Sequence, residues 1–194
     1  GKHEYQDGDG KGDVASADER AGPCGRGSSS CDGGAWNGIE LTDRGTSSID
    51  EAQLTWLAGD LAASTKQCTI AMWHVPLFLS SNTPGWTTNP DKKPVWDLLY
   101  NAGVELVLNG QQHNYERFKP MKPDGTVDDA RGIREFSVGT GGESYDTFNT
   151  IHPNSEVRGS TFGVLKLTLR RSGYDWAFLP VGSTFSDSGT GSCH

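Results

Sequence analysis

A chain of 194 residues can bury one sizeable core, and it carries no internal repeat, so a single domain over residues 1–194 is expected. Its 17 Lys and Arg against 25 Asp and Glu leave a formal net charge of −8, which argues against a nucleic-acid or anionic-membrane partner, since either would call for clustered cations. No run approaches the ~20 apolar residues of a membrane span, and no charged-then-apolar leader opens the chain, so a soluble, mature protein is expected.

Gln6 to Gly34 is dense in Gly, Asp and Ser and nearly free of apolar side chains, the composition of a long irregular loop. Within it, Asp7-Gly-Asp-Gly-Lys-Gly-Asp13 has the acidic residues of a calcium loop without the closing Glu or the spacing, so a solvated loop is expected there. Ala35 to Leu41 reads as a short strand. Ser48-Ile-Asp-Glu51 has the form of a capping box, and Leu54, Leu57, Ala58 and Leu61 follow at helical spacing, which predicts an amphipathic helix packed on a sheet.

Cys68-Thr-Ile-Ala-Met-Trp-His-Val-Pro-Leu-Phe78 is an apolar strand running into His74, with Pro two residues later. Ser80 to Pro94 is then a loop of Asn, Thr, Pro and Gly in which Trp86 either borders a cleft or anchors packing. Pro94 opens a short helix carrying Val95, Leu98 and Leu99, and the helix ends near Gly103. Val104-Glu-Leu-Val-Leu-Asn109 follows as a buried strand that breaks at Gly110 into a polar loop bearing His113. Strand, helix, strand is the crossover unit of a largely parallel sheet, and such sheets place ligands at the carboxyl ends of their strands. Two strands that each deliver an imidazole at that end meet the requirement of a metal site.

Ile133 to Val138, Phe162 to Leu169 and Tyr174 to Val181 read as further strands, the last two joined as a hairpin across Arg170-Arg-Ser-Gly173. Thr140-Gly-Gly142 could present backbone amides to an anion, but glycines after a strand more often only turn the chain. Cys24, Cys31, Cys68 and Cys193 allow three pairings. Cys24 with Cys31 is the favoured short staple, which leaves Cys68 with Cys193; four free thiols are the alternative.

Gly1-Lys-His-Glu-Tyr5, Trp73-His-Val-Pro-Leu-Phe78 and Asn109-Gly-Gln-Gln-His-Asn-Tyr-Glu-Arg-Phe118 together resemble the last three metal-site motifs of the calcineurin-like metallophosphoesterases. The branch is similar to the secreted, purple-acid-phosphatase-like enzymes of bacteria, and the likeness runs from about Ala35 onward. It implies an α/β fold of the later half of that domain: a layered sheet sandwich with flanking helices and a terminal β-hairpin. It also implies metal-dependent hydrolysis of a small-molecule phosphate ester by a dinuclear centre of transition metals (Fe, Zn or Mn), in an extracellular or cell-surface protein.

Carried over residue by residue, His74 matches a ligand of the second metal and His113 a ligand of the first. His3 matches the histidine that touches substrate and protonates the leaving group. Tyr5 and Asn114 to Arg117 flank the site without an assigned role. Lys2 stands where the family has a metal-binding Asn, and Gln111 where it has the first His of its Gly-His-x-His motif; Val75 follows His74 where many relatives have a second His. The Asp ligands are expected on strands upstream of Gly1. Protonated Lys2 has donors and no acceptor, so it would bind a phosphate oxygen rather than a metal. At most one well-held metal is therefore expected. A non-catalytic module binding phosphate, glycan or protein is the alternative function.

Overall fold

The computed structural model describes residues 35–43 and 49–194, all within the unit Gly34–His194. Lys2, His3, the Asp7–Asp13 segment, Cys24, Cys31 and Ser48 lie outside the described residues. In chain order the elements are β1 (Trp36–Glu40), α1 (Glu51–Ala63), β2 (Cys68–Met72), a 3-10 turn (Pro90–Lys92), α2 (Lys93–Asn101), β3 (Leu106–Asn109), β4 (Tyr115–Phe118), β5 (Arg134–Val138), β6 (Ser155–Gly159), β7 (Gly163–Arg170), β8 (Gly173–Pro180) and β9 (Ser188–Ser192). Six of the strands form one sheet in the order β1-β2-β3-β5-β4-β6, and β7-β8-β9 form a second.

The expected crossover is present. β1, β2, β3 and β5 run parallel, with Ile70 opposite Leu106 and Leu108 opposite Phe136, while β4 is antiparallel to both β5 and β6. Residues 69–71 of β2 and 106–107 of β3 are buried, as parallel strands covered on both faces must be.

Because alternate strand residues face opposite ways, neighbours in sequence serve different cores. Ala71 and Val107 join Leu57 of α1 and Val95, Trp96 and Leu99 of α2 on one face. Ile70, Leu106, Tyr115 and Phe136 meet Tyr174, Trp176 and Phe178 of β8 on the other. The result is a layer of helices, a mixed sheet and a second antiparallel sheet.

Two expectations need correcting. The cap of α1 is Asp50, whose side chain accepts from Gln53 N at 2.8 Å; the Gln53 amide pairs with the Thr42 backbone instead of closing a capping box. The terminal hairpin β7–β8 forms as expected, but β9 pairs with β8 and makes it a three-stranded sheet. Ser188-Gly-Thr-Gly-Ser192 has no apolar residue to mark it as a strand. Its glycines are what let it pack: a Cβ on Gly189 would lie 2.4 Å from the Trp176 ring, and one on Gly191 would lie 2.3 Å from Tyr174. β4 and β6 were likewise not legible as strands, since Tyr115-Glu-Arg-Phe118 and Ser155-Glu-Val-Arg-Gly159 carry charge where an alternating pattern would be apolar.

β4 and β5 bury two carboxyl groups on the helical face, Glu116 and Glu135. Glu116 accepts from Ser80 N at 2.8 Å and from Ser80 Oγ. Neither oxygen of Glu135 has a hydrogen-bond partner, and the Phe78 and Leu77 amides give only electrostatic relief. Burial, and then the charge of Glu116, pushes the Glu135 carboxyl well above its ordinary range; burial also raises Glu116. Raised acids add stability that is complete below the unfolded value of about 4.3 and is lost as pH rises through the folded value. Glu135→Gln should therefore flatten the fall in unfolding free energy as pH rises above the unfolded value, relative to wild type, as read by urea denaturation at each pH. Parallel profiles for the two proteins would refute the assignment.

Candidate metal centre at the strand ends

β2 and β3 are parallel neighbours, so both release their chains at the same edge of the sheet. His74 lies two residues past β2, Gln111 two past β3 and His113 four past β3. The two loops are tied together: His74 O accepts from Gly110 N at 3.0 Å and from Gln111 N at 3.1 Å, and Asn109 Nδ2 donates to Trp73 O at 3.0 Å. A Cβ on Gly110 would lie 3.8 Å from His74 Nδ1, so the imidazole sits beside this glycine. The turn after His74 is fixed by Asp43, beyond β1, which accepts from Val75 N at 2.8 Å and from the buried Lys92 Nζ at 3.3 Å.

His74 is exposed, and Gln111 and His113 are half-buried. His113 is gripped by the loop that follows β5. Its N–H donates to Asp146 Oδ2 at 2.9 Å, its carbonyl accepts from Asp146 N at 3.1 Å, and its Nδ1 lies 3.3 Å from Ser144 Oγ. The start of that loop passes so close that a Cβ on Gly139 would lie 2.0 Å from Gln112 O and 2.6 Å from Gly110 O. Only glycine fits there. Thr140 then ties this loop to the start of β7, its Oγ1 donating to Gly163 O at 2.8 Å.

Nitrogen donors at adjacent strand ends suit one side of a transition-metal site. Asn109 Oδ1 and both amide atoms of Asn114, all in this region, are buried with no partner, as fits a polar neighbourhood built around more than its own loops. Among the described residues the one group of three convergent ligand atoms is Cys68, Glu105 and Cys193, away from the histidines, and its two sulfurs are bonded to each other. The residues fit part of a metal site, its imidazole side.

Tyr115 and Arg117, which carried no role in the sequence reading, hold the two sheets together. The Asp187 carboxylate accepts from Tyr115 Oη at 2.6 Å, from Arg117 Nε at 2.7 Å and Nη2 at 3.1 Å, and from Trp176 Nε1 at 3.1 Å. Asp187, Asp146 and Ser144 had no signal in spacing, because each is one polar residue in a polar loop. Trp86 is 39% exposed, so it is no core anchor; its loop is instead bonded across to residues 149 and 150.

No protein-family model matches the chain. Among curated proteins it is 28% identical over 134 residues to purple acid phosphatase 22 of Arabidopsis thaliana, covering 64% of this chain and 30% of that protein. It is 31% identical over 93 residues to purple acid phosphatase 18 of the same plant, covering 46% of this chain and 21% of that one. The chain thus spans less than a third of these relatives. Among solved structures, the purple acid phosphatase PPD1 from yellow lupin (Lupinus luteus) seeds superposes with a TM-score of 0.71 at 21% identity, covering 81% of this chain and 31% of that one. GAP50, the anchor in the inner membrane complex of Plasmodium, superposes at 0.58 and 16% identity over 81% of this chain and 49% of that one. These two likenesses speak for the fold. The plant sequence relatives, together with this fold, support the resemblance to the calcineurin-like metallophosphoesterases that the ordered strand-end motifs carry.

Proposed function

We propose that the chain carries part of a metal-dependent phosphoric-ester hydrolase, with His113 and His74 as ligands of two neighbouring transition metals (Fe, Zn or Mn). The observation that supports it most is the bonding of the His74 carbonyl to Gly110 N and Gln111 N, which sets two imidazole-bearing loops side by side at one sheet edge. When bound, the metals would supply an activated water and charge stabilisation at phosphorus. The rest falls to this chain's side chains. Lys2 donates to a phosphate oxygen, His3 gives a proton to the departing alcohol, and Gln111, at a position of the second metal, offers its amide oxygen as a weak ligand. The substrate is a small-molecule phosphate ester. The Cys68–Cys193 disulfide supports an oxidising, extracellular compartment. Among the described residues no helix is long and apolar enough to cross a membrane.

Zn²⁺ titration of the purified chain should give at most one equivalent. Gln111→His should tighten it by at least about 10-fold, since even the outer partners of metal ligands command about 10 to 100-fold. A folded His74→Ala/His113→Ala double variant that binds Zn²⁺ as wild type does would sink the ligand assignment.

A second reading, a non-catalytic module on the same fold, is favoured by Gln111 at a ligand position and by the fact that, among the described residues, no group of three convergent ligand atoms includes His74 or His113. Two equivalents of transition metal in the protein as purified would exclude it.

A further inference from the structure

The loop of residues 139–150 crosses the His113 loop and goes on to the segment after β2, and it is pinned at both crossings. Asp146 makes two backbone-directed bonds to His113, at 2.9 and 3.1 Å, and its own carbonyl accepts from Ser160 Oγ at 3.1 Å. Farther on, Asn149 N and Thr150 N donate to Ser81 O at 3.0 and 2.9 Å, and Ser81 N donates back to Thr150 O at 2.9 Å. One residue before the first crossing Tyr145 packs against Phe162 with ring centroids 4.3 Å apart, and where the loop begins Gly139 N donates to Asn114 O at 3.1 Å. A segment restrained on both sides can fix the direction of a ring that it touches. The ring it touches is His113, through Ser144 Oγ at 3.3 Å from Nδ1.

A neutral imidazole has one N–H and one lone pair, and a serine hydroxyl can serve either nitrogen state. If Ser144 donates to Nδ1, the proton sits on Nε2 and that nitrogen cannot ligate. If Ser144 accepts from Nδ1–H, Nε2 carries the lone pair. Imidazoles that bind metals nearly always give their other N–H to an oxygen in this way. We propose that Ser144 and Asp146 are positioning residues for His113: Asp146 locks its backbone, and Ser144 accepts from Nδ1–H so that Nε2 is presented as the donor atom. The inference rests on the reading of His113 as a metal ligand, but the tautomer itself is a property of the chain without metal.

Imidazole ¹⁵N spectra of the metal-free chain, taken above about pH 8 where histidine is neutral, read the tautomer directly. Wild-type His113 should be mainly the Nδ1–H form, Ser144→Ala should shift it to the Nε2–H form, and Ser144→Thr, which restores a hydroxyl, should keep it. Asp146→Ala should leave a mixture. Co²⁺ titration should be about 10-fold weaker for Ser144→Ala and Asp146→Ala, the low end of the range for such orienting partners, and near wild type for Ser144→Thr. A wild-type ring in the Nε2–H form, or a tautomer that Ser144→Ala leaves unchanged in a folded protein, overturns the proposal. Co²⁺ that fails to move the wild-type His113 resonances, while the tautomers behave as stated, overturns the metal reading alone.

Discussion

Asp187→Ala should cost about 3–5 kcal/mol of unfolding free energy, the scale for removing one partner of a buried, hydrogen-bonded ion pair. The carboxylate gathers Tyr115, Arg117 and Trp176 from both sheets, and truncation leaves their donors unpaired in the second core. Arg117 would retain Glu156, and its guanidinium would still lie 5.0 Å from the Trp176 ring centroid, so the loss is not complete. Burial alone would raise the Asp187 carboxyl, but hydrogen bonds from Arg117 and Tyr115 hold it below its ordinary value. Its contribution is therefore present above the unfolded value of about 3.9 and is lost as pH falls through the lower folded value. Asp187→Asn should fall between wild type and Asp187→Ala in urea denaturation near neutral pH. Glu156→Gln, at a more exposed partner, should cost about 1 kcal/mol or less. An Asp187→Ala loss no larger than that of Glu156→Gln would show that the two sheets are held by apolar packing alone.

Removal of the Cys68–Cys193 disulfide is the other large effect expected. The bond closes 125 residues of chain with Cα atoms 5.5 Å apart, and the chain-entropy account assigns such a loop about 4–5 kcal/mol, with native disulfides commonly giving about 2–5. Cys68→Ala/Cys193→Ala should lower the melting temperature by about 10 °C, taking about 2–4 °C per kcal/mol for a domain of this size. The loss should be felt first in β9. That strand brings no apolar side chain to the interface, and its hold is the ladder to β8, the stapled Cys193 and the two rings lying on its glycines. Amide exchange of residues 188–192 should accelerate more than that of β7 or β8 in the variant. Equal acceleration throughout the second sheet would mean that the disulfide stabilises only through the unfolded chain.

Part of the candidate site was legible in the sequence because chemistry and backbone signal coincide there. Leu106-Val-Leu-Asn109 ends at a glycine, Cys68-Thr-Ile-Ala-Met72 runs toward a proline, and each apolar run carries a histidine just beyond its end. The crossover helix between them made the strands parallel, and parallel neighbours share an edge. What held the histidines was not legible. Asp146 and Ser144 reach His113 from a loop more than thirty residues away in sequence, with |i−j| of 33 and 31. Nothing in their local spacing announces that closure.

By itself the sequence determined the elements whose burial follows a period: α1, α2, β1, β2, β3, β5 and the β7–β8 hairpin. It also determined the resemblance carried by three ordered motifs. Apolar periodicity records which face of an element is buried, so it speaks only where burial is one-sided or complete. The tertiary structure decided everything whose partner lies elsewhere in the chain. β4, β6 and β9 are strands because neighbouring backbones offer them ladders, although charged residues interrupt the apolar pattern of the first two and the third has no apolar residue. Glu116 and Glu135 are buried acids because the helical face covers them. Tyr115 and Arg117 became struts because Asp187 arrives 72 and 70 residues later. Backbone pairing and ion pairing depend on groups that every residue, or any charged residue, possesses, and so they leave no periodic trace until the chain has closed on itself.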